Sequence, residues 1–410
     1  MSDKHTLPTG LQLSGLDPVF RENPHPCLDR LRAEDPVHHD TELGRLLLTR
    51  FDDGKDVLFN RSLSVDPRKA PPECFHRRAV MGDVPVEKFE PIMLQLDDPD
   101  HHRLRSLVNQ AFNQRAADEF RPRIREIANE VLDAVSERDS FDVVSDYAIP
   151  FPIIAIAELL GVDSAEMDQF KLWSDALILM ANPARTPEQS AQLATAQKEL
   201  HAYFTRVAEA RRHRRGTDLI SALVSAEESG EQLTLREIAT TCNLLLVAGN
   251  VTTTDLIGHG VLALLNHPDQ LARLRANPKL AQSAVEEMLR YDPPITQRNR
   301  VTTQPMSIDG VEIAAGYTIS TSIQAAGRDP SHYSDPHRFD IEREDIDHLA
   351  FGGGAHYCVG APLARAEAQI AIPLLFERFP DIRLDPGHPI EHKSSPFFNG
   401  LKALQVRIRE

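Results

Sequence analysis

The longest periodic stretch of the sequence, residues 234–267, predicts one buried helix that spans a whole domain. Thr234 and Glu237 have the spacing of a capping box at its start, and His267 followed by Pro268 marks its end. About 32 helical residues give a rod of roughly 48 Å. The middle of this stretch, LLLVAGNVTTTDLIGHGVLALL, is apolar on nearly every side, so we expect the helix to lie inside a large core.

Most of the remaining sequence also predicts helices, because Leu and Ala recur at helical spacing. These helices are predicted over residues 99–137, over residues 153–227 with a break at 181–187, from Asn277-Pro278 onward, and from Pro362 to Arg378. Residues 37–49 predict a hairpin, and residues 306–323 predict strands with an Asp-Gly turn. Residues 66–90 predict a long loop with one short helix. The fold class that follows is mainly α with small β-sheets.

Charge and cysteine content exclude several classes of protein. The net charge is −16, so we expect no broad basic surface and no nucleic-acid partner. Cys27, Cys74, Cys242 and Cys358 lie far apart, which argues against a zinc site or a disulfide framework and favours a reducing compartment. The N-terminal residues lack the features of a signal peptide, and we expect no apolar run of about 18 residues. The expected protein is soluble and cytoplasmic, with no membrane anchor.

Cys358 stands in the stretch FGGGAHYCVG, whose composition is unusual for a core cysteine. A thiolate that binds a metal needs backbone N–H groups near its charge, and glycines allow the tight backbone that provides them. A helix that begins near Pro362 would add the positive end of its dipole. The stretch therefore predicts that Cys358 is a metal ligand, and the alternative is a structural cysteine in a glycine loop.

The same stretch resembles the haem-binding loop of the cytochrome P450 family, Phe-Gly-x-Gly-x-His/Arg-x-Cys-x-Gly. The matching residues are Phe351, Gly352, Gly354, His356, Cys358 and Gly360. This resemblance implies haem b as the cofactor, with the Cys358 thiolate as iron ligand, Phe351 as a shield for the sulfur, Gly352 in the cofactor-binding loop and His356 on a haem propionate. It extends from about residue 20 to the C-terminus. It thus implies a single haem-thiolate domain over residues 1–410, with the triangular prism of the soluble bacterial members.

Two further sets of residues match the family in the expected order. Glu287 and Arg290 match its Glu-x-x-Arg motif, and the resemblance implies that Arg338 completes a structural network with them. His101 and Arg105 match its His-x-x-x-Arg segment, and Arg300 matches a third cationic position. Together with His356, these cations are implied to hold the two haem propionates. For each of them, a solvated surface charge is the alternative.

The long helix matches the family's oxygen-binding segment at Ala248, Gly249 and Thr252, with one departure. The resemblance implies that the two small residues leave room for dioxygen and that the Thr252 hydroxyl helps to deliver protons. At position 251 the family usually has an acid, but this chain has valine, which cannot relay a proton. Asp255 could substitute through a bridging water. Otherwise protons would come through hydroxyls and ordered water, or the reaction would avoid this relay.

The matches imply a monooxygenase that inserts one oxygen atom from dioxygen into a hydrophobic small organic substrate. The sequence contains no segment for a flavin or an iron–sulfur cluster, so electrons would come from an external ferredoxin or flavodoxin. Arg103 and Arg115 are expected near the thiolate side, where this partner would dock. The substrate contacts implied by the resemblance are Val247, Ile295, Thr296, Phe397 and the 75–95 loop.

The valine at position 251 leaves two other functions open. One is a haem-thiolate enzyme that reduces nitric oxide or uses peroxide, in which Arg77 and Arg78 would bind a nicotinamide phosphate. The other is a non-catalytic haem protein that binds or senses a lipophilic ligand. Thr252 argues against the non-catalytic haem protein, since a binding protein has no need of a proton-relay hydroxyl.

Overall fold

The computed structural model describes residues 7–182, 184–228, 233–344 and 346–409. Most of these residues are helical. The α-helices in this part of the chain are α1 Pro18–Glu22, α2 His25–Glu34, α3 Phe51–Phe59, α4 Phe75–Met81, α5 Asp100–Ala111, α6 Gln114–Asp133, α7 Pro150–Leu160, α8 Met167–Leu177, α9 Pro187–His213, α10 Leu219–Glu228, α11 Leu235–Asn266, α12 Pro268–Ala276, α13 Ala281–Tyr291, α14 Ile323–Ala326 and α15 Ala361–Arg378.

The strands are short and form small sheets. They are β1 Val37–Asp40, β2 Arg45–Leu48, β3 Leu63–Ser64, β4 Ser140–Asp142, β5 Gln297–Thr302, β6 Met306–Ile308, β7 Val311–Ile313, β8 Thr318–Ser322, β9 Arg383–Leu384, β10 Glu391–His392, β11 Leu401–Ala403 and β12 Gln405–Arg407. The largest sheet has the order β1-β2-β8-β5-β3, and the smaller ones are β4-β12-β9, β6-β7 and β10-β11. In the largest sheet β2 and β8 are parallel and the other pairs are antiparallel.

Several local predictions are confirmed. Helix α11 spans Leu235–Asn266, and the Thr234 hydroxyl accepts a hydrogen bond from the Glu237 N–H, while the Glu237 carboxylate accepts one from the Thr234 N–H. The hairpin of β1 and β2 is present, with Val37 opposite Leu48. Strands β6 and β7 are joined by the expected Asp-Gly turn, in which Asp309 and Gly310 have φ angles of 47° and 76°. These features follow from residues that are close in sequence.

Other stretches are divided more finely than the periodicity predicts. Residues 99–137 form two helices, because the side chain of Asn113 accepts a hydrogen bond from the Ala116 N–H and caps the start of α6. Residues 153–227 contain parts of four helices, α7–α10. Helix α12 is missing from the sequence-based prediction. Pro268 ends α11 and also occupies the first position of α12, where a proline is well tolerated.

Helix α11 runs through the middle of the main hydrophobic core. It packs against α7, α9, α13 and α15, and its residues from Ile238 to Leu264 are largely buried. Helix α15 also packs against α6. Because the loop that carries Cys358 leads directly into α15, this packing places the loop close to the middle of α11.

One stretch, Val143–Leu160, is long and apolar enough to cross a membrane by length and composition alone. It consists of a π-helical segment, Val143–Ala148, followed by α7. We expected no apolar run of about 18 residues. That expectation is wrong, because this stretch has a mean hydropathy of 1.7 even with Asp146 and Glu158 included. Since 61% of the stretch is buried and it packs against α6 and α11, it has the features of a core helix.

Candidate active site

Cys358 lies in a tight loop that ends at the first turn of α15. Its N–H donates a hydrogen bond to the Phe351 carbonyl at 2.9 Å, and the Ala361 N–H donates to the Cys358 carbonyl at 3.4 Å. Gly352 and Gly354 have φ angles of 73° and 64°, which lie in the left-handed region. Side chains other than hydrogen are disfavoured there. The two glycines are therefore required by the backbone of this loop.

The environment of the Cys358 sulfur favours the thiol until a cation binds it. Burial raises the pKa of the Cys358 thiol, while the Arg298 guanidinium, the Gly360 N–H, Arg105 and Arg365 oppose this rise. The expected groups that stabilise a thiolate are thus present, but burial raises the pKa of the thiol by more than these groups lower it. A metal cation would supply the missing stabilisation, because coordination displaces the thiol proton.

A latch of charged residues holds the Cys358 loop against α13. The Arg365 guanidinium donates to both carboxylate oxygens of Glu286, at 2.7 and 2.8 Å, and lies 4.5 Å from the centroid of the Phe351 ring. His348 lies 3.0 Å from the same carboxylate. Burial alone would raise the pKa of Glu286, but the hydrogen bonds from Arg365 and His348 lower it to about 2. The sequence analysis missed this latch, which joins residues from three distant segments.

The four predicted propionate ligands come together at one place. The imidazole rings of His101 and His356 are 4.1 Å apart, and both His101 and Arg300 are buried. Nδ1 of His356 is buried without a hydrogen-bond partner among the described residues. Burial, together with the positive charges of His101, Arg300 and Arg105, lowers the pKa of His356 to about 3. The structure therefore assembles groups that the sequence places on three separate segments.

A third arginine, Arg298, extends this cluster and was not predicted from the sequence. It precedes Arg300 by two residues on β5, so the two side chains share a face of the sheet. Strand alternation in QRNRVT was the signal that could have found it. Burial lowers the pKa of Arg298, and the nearby Cys358 sulfur opposes that effect. Within the described ranges, Arg105, Arg298 and Arg300 form no ion pair with a carboxylate.

The cation cluster tests whether haem fits these residues. Burying guanidinium groups without carboxylate partners is energetically unfavourable. Accordingly, burial and the charge of Arg298 lower the pKa of Arg300 to about 10. An anionic ligand would relieve this repulsion and would also give His356 Nδ1 a partner. Haem carries two propionates, so the donor set fits it: a sulfur for the iron beside a cluster of cations for the carboxylates.

Two of the three predicted oxygen-binding residues, Ala248 and Thr252, lie on one face of α11. Ala248 is exposed and Thr252 is half-buried, and the Thr252 hydroxyl donates to the Ala248 carbonyl at 2.7 Å, as expected for this residue in mid-helix. Val251 is buried. The amide of Asn250 donates to the Ser174 hydroxyl at 2.8 Å and so points towards α8. The residue beside the missing acid is therefore turned away from this face.

Gly249 lies where α11 packs closely on another helix. A Cβ atom at this position would lie 3.3 Å from the side chain of Ile156 on α7. The missing side chain therefore allows α11 to pack closely on α7. The role of Ala248 and Gly249 in leaving space for dioxygen stays a prediction.

Two buried carboxylates accompany this part of α11. Glu367 of α15 is buried and hydrogen-bonded to Thr253, and burial raises its pKa to about 8, so it is mostly protonated at neutral pH. The sequence analysis missed it. Asp255 is also buried, and its Oδ1 accepts a hydrogen bond from Lys393 Nζ at 2.7 Å. The helix thus has acids near Thr252 even though position 251 has none.

The Glu287–Arg290 pair is confirmed, but its third member is a different arginine. Both side chains are fully buried, and Arg290 donates to the two oxygens of Glu287 at 2.6 and 2.7 Å. The side chain of Arg338 is exposed and lies 3.5 Å from Asp340, so the expectation for Arg338 is wrong. Instead, Arg343 Nε lies 3.3 Å from Glu287. Arg338 contributes only its carbonyl, which accepts from Arg290 at 3.0 Å.

The residues predicted to contact substrate lie at the start of β5, in the C-terminal loop and on α11. Thr296 donates its N–H to the Phe397 carbonyl at 2.9 Å, and Ile295 pairs with Phe398, so the start of β5 meets the C-terminal loop. Val247 is half-buried on α11. Their contact with substrate stays a prediction.

Among the surface arginines, Arg77 and Arg78 donate to the carbonyls of Ala70 and Leu43 at 2.7 and 2.9 Å. Arg103 pairs with Glu237 near the start of α11. The Arg115 side chain is 86% exposed on α6, which packs against α15. Of the two arginines predicted for partner docking, Arg115 is therefore the more accessible.

Comparisons with known proteins agree with this geometry. A family model described as Cytochrome P450 matches residues 73–402. The cytochrome P450 monooxygenase PikC of Streptomyces venezuelae is 40% identical over 98% of this chain and 95% of its own length. The vitamin D(3) 25-hydroxylase of Pseudonocardia autotrophica is 38% identical over 95% of each chain.

Among solved structures, the myxobacterial cytochrome P450 CYP267B1 in complex with myristic acid is 37% identical. It has a TM-score of 0.89 and covers 96% of this chain and 98% of its own. The predicted fold class, mainly α with small β-sheets, and the haem cofactor are confirmed. The relatives are named as monooxygenases and hydroxylases, so the nitric-oxide and peroxide alternatives are not favoured. This chain is an enzyme that belongs to the cytochrome P450 family.

Proposed function

We propose that this protein is a haem-thiolate monooxygenase that inserts one oxygen atom of dioxygen into a hydrophobic small organic molecule. The observation that carries the proposal is the joint presence of two features. One is the Cys358 loop beside Arg105, Arg298 and Arg300, which form no ion pair with a carboxylate among the described residues. The other is the Ala248–Thr252 face of α11, where a half-buried hydroxyl lies beside an exposed alanine. The first feature suits haem, and the second suits oxygen chemistry.

The residues would divide the work as follows. When bound, haem supplies an iron that takes up electrons and dioxygen and transfers an oxygen atom. The Cys358 sulfur would be the iron ligand, and the Phe351 ring, held by Arg365, would keep water from it. The propionates would be held by His101, Arg105, Arg298, Arg300 and His356.

Thr252 holds a proton on Oγ1 at the pocket side of α11. Its hydroxyl can give this proton to the group that is being protonated and take another from a second donor, a water molecule or a protein side chain. Val251 has no group that could replenish it. Whether Thr252 is supplied from elsewhere therefore decides how efficiently electrons are used.

A hydrophobic substrate is supported by the residues that are predicted to contact it. Val247, Ile295 and Phe397 are apolar, and Thr296 contributes a small polar group whose backbone is already bonded to the C-terminal loop. Two similar proteins are named with apolar organic molecules, vitamin D(3) and myristic acid. We propose a substrate of this general kind.

The electron donor is proposed to be a ferredoxin or flavodoxin that docks near the thiolate side. Arg115 is exposed on α6, and α6 packs against α15, the helix that follows the Cys358 loop. We also propose that residues 1–410 form one domain, because a single core cluster takes residues from Phe51 to Ile408. A cytoplasmic location is supported by the burial of the apolar stretch Val143–Leu160.

The first experiment replaces the proposed ligand and a matched control. Cys27 is free and half-buried like Cys358, but it lies in α2. The reduced wild-type protein with carbon monoxide should give the thiolate-type spectrum. Cys358→Ala should abolish this spectrum and Cys27→Ala should keep it. An unchanged spectrum in Cys358→Ala would refute the ligand assignment.

The second experiment tests the reaction. A library of apolar molecules is screened by the shift of haem absorption, and the binders are incubated with a surrogate ferredoxin, its reductase and isotopically labelled dioxygen. The expected product carries one labelled oxygen atom. Tight binders without any product would indicate a ligand-binding protein. Consumption of NADH and nitric oxide without a ferredoxin would indicate a reductase.

A further inference from the structure

One face of α11 carries a row of three polar residues, Thr252, Asp255 and His259, between Ala248 at one end and Leu262 at the other. Ala248, Thr252, Asp255, His259 and Leu262 follow each other at alternating spacings of four and three, so they lie on one side of the helix. Ala248 is exposed and Thr252 half-buried at the pocket end, whereas Asp255 and His259 are buried. Buried polar side chains on the face of a core helix need partners or a function.

The first member of this row after Thr252 is Asp255. Its Oδ1 accepts from Lys393 Nζ at 2.7 Å, but its Oδ2 is buried without a partner among the residues that the structure describes. The backbone opposite is close: a Cβ atom at Gly400 would lie 2.0 Å from Oδ1. The pKa of Asp255 is raised to about 6. Burial and the charge of Asp175 on α8 raise it, whereas Lys393 lowers it. The carboxyl group can therefore hold or release a proton near neutral pH.

The next member, His259, connects the row to the surface. Its ring lies 5.7 Å from that of His392 on β10 and is nearly parallel to it. His259 Nε2 and His392 Nδ1 are both buried and have no partner within the described residues. Burial lowers the pKa of His259 to about 3, and the charges of His392 and Lys393 add to this effect, so the ring is neutral. A neutral imidazole can accept a proton on one nitrogen and donate from the other.

A polar cavity of about 540 Å³ begins at these two histidines. Its lining includes Arg21, Glu22, His25, His259, His392 and Asn399. Glu22 is exposed, so the cavity reaches the surface at the end of α1. Burial lowers the pKa of His392, while Glu22 and Arg21 act on it in opposite directions. A cavity of this size with several polar groups has room for ordered water.

We propose that Asp255, supported by Lys393 and reached through His259 and His392 from this cavity, supplies protons to Thr252 in place of the acid missing at position 251. This inference rests on the proposed monooxygenase function. Asp255 is one helical turn from Thr252 on the same face, about 5–6 Å between Cβ atoms, which a single water can bridge. Asp255 does not touch the reacting atoms, so it acts through Thr252.

The proton balance of each transfer is simple. Thr252 Oγ1 gives its proton to the acceptor in the pocket and takes one from a bridging water. That water takes the carboxyl proton of Asp255, whose O–H bond breaks. The Asp255 carboxylate then regains a proton that passes from cavity water through the imidazoles of His392 and His259. One proton enters from solvent for each proton delivered, and no oxidant or reductant is needed.

Glu367 offers a rival source on another face of the helix. It bonds Thr253, whose side chain lies about 100° around the helix from Thr252 and is buried against α15. A proton held at Glu367 is therefore directed towards Thr253 rather than towards the pocket. Glu367→Gln separates this route from the proposed one.

The main experiment measures coupling, the fraction of consumed electrons that appears in product, as a function of pH. In Asp255→Asn coupling should fall about tenfold, because an amide has no proton to release. Asp175→Asn is the control, since it changes the charge near Asp255 at an exposed site. Glu367→Gln should couple like the wild type. Unchanged coupling in Asp255→Asn, or an equal loss in Glu367→Gln, would overturn the proposal.

A second readout does not depend on turnover. The carboxyl stretch of Asp255, identified by its loss in Asp255→Asn, is followed by infrared difference spectroscopy in the resting enzyme. Lys393→Met removes the opposing cation, so the titration midpoint of this signal should rise by about 1–3 pH units. The pH at which coupling is half-maximal should rise by the same amount. A midpoint that moves while the coupling profile stays in place would show that Asp255 is only structural.

The two proposals fail in different ways. If the wild type yields no oxygenated product from any binder, the proposed function is wrong. If the wild type yields product and Asp255→Asn keeps both the thiolate-type spectrum and full coupling, the function stands and the proton route is wrong. The spectrum also shows that a loss in Asp255→Asn does not come from a damaged haem site.

Discussion

The partner of Glu287 allows a sharp test, because two neighbouring arginines have very different surroundings. Arg343 is nearly buried, with a 9% exposed side chain, and its Nε lies 3.3 Å from Glu287, whose side chain is 0% exposed. Its other nitrogens donate to the carbonyls of Ser334 at 2.8 Å and of Asp335 and Arg338. Arg343→Met would remove a buried ion pair with Glu287 and three hydrogen bonds to backbone carbonyls, and removing one partner of a buried ion pair costs about 3–5 kcal/mol. We expect a loss of about 3 kcal/mol in the free energy of unfolding.

Arg338→Met should be much milder. The Arg338 side chain is 58% exposed and lies 3.5 Å from Asp340, and such surface pairs contribute about 0–1 kcal/mol. The contact that matters at this position is the Arg338 carbonyl, which accepts from Arg290 and is retained in a methionine. The expected difference between the two variants is therefore about 2 kcal/mol.

The assay is urea unfolding of the haem-loaded proteins, followed by far-ultraviolet circular dichroism and by haem absorption in the same samples. The midpoint for Arg343→Met should fall well below those of the wild type and Arg338→Met, and haem should be lost at the lower urea concentration. Equal midpoints for both variants, or a larger loss for Arg338→Met, would show that the buried network is not the one described.

Three other outcomes are expected. Thr252→Ala should increase the release of peroxide relative to product, because the hydroxyl that delivers protons is gone; unchanged coupling would contradict its role. Arg115→Glu should weaken the apparent affinity of an acidic ferredoxin, most strongly at low salt, and the absence of any salt-dependent change would place the docking site elsewhere. The pKa of Glu286 is lowered from 4.5 to about 2, so its latch stabilises the folded state above pH 4.5 and loses this effect as the pH falls towards 2. Haem retention measured across that range should be flatter in Glu286→Gln than in the wild type.

The features that could be predicted from the sequence depend on residues that are close together in the chain. The cap of α11 needs only Thr234 and Glu237, and the Cys358 loop needs glycines at two left-handed positions. Each of these patterns constrains its own backbone, so its spacing is a direct physical signal. This is why the bounds of α11 and the position of the loop were predicted well.

Features that depend on distant segments could not be predicted in the same way. The choice between Arg338 and Arg343 is made by the path of the loop, in which the Asp340 N–H donates to Glu287 and turns the chain there. The sequence shows two arginines five residues apart and gives no reason to prefer the second. Gly249 is similar, since its role depends on Ile156, which lies on a different helix.

The row on α11 combines both situations. The spacing of Thr252, Asp255 and His259 is visible in the sequence, and it places them on one face. Its meaning depends on Lys393 and His392, which reach this face only because β10 and the following segment fold back against the helix. The acid that the family usually has at position 251 is absent, yet Asp255, one turn further along α11, is buried and paired with Lys393, and His259 beyond it lines a polar cavity. A proton source that lies one turn further along the helix can supply Thr252 only if polar groups face it from the segment opposite. In this chain Lys393 and His392 are those groups.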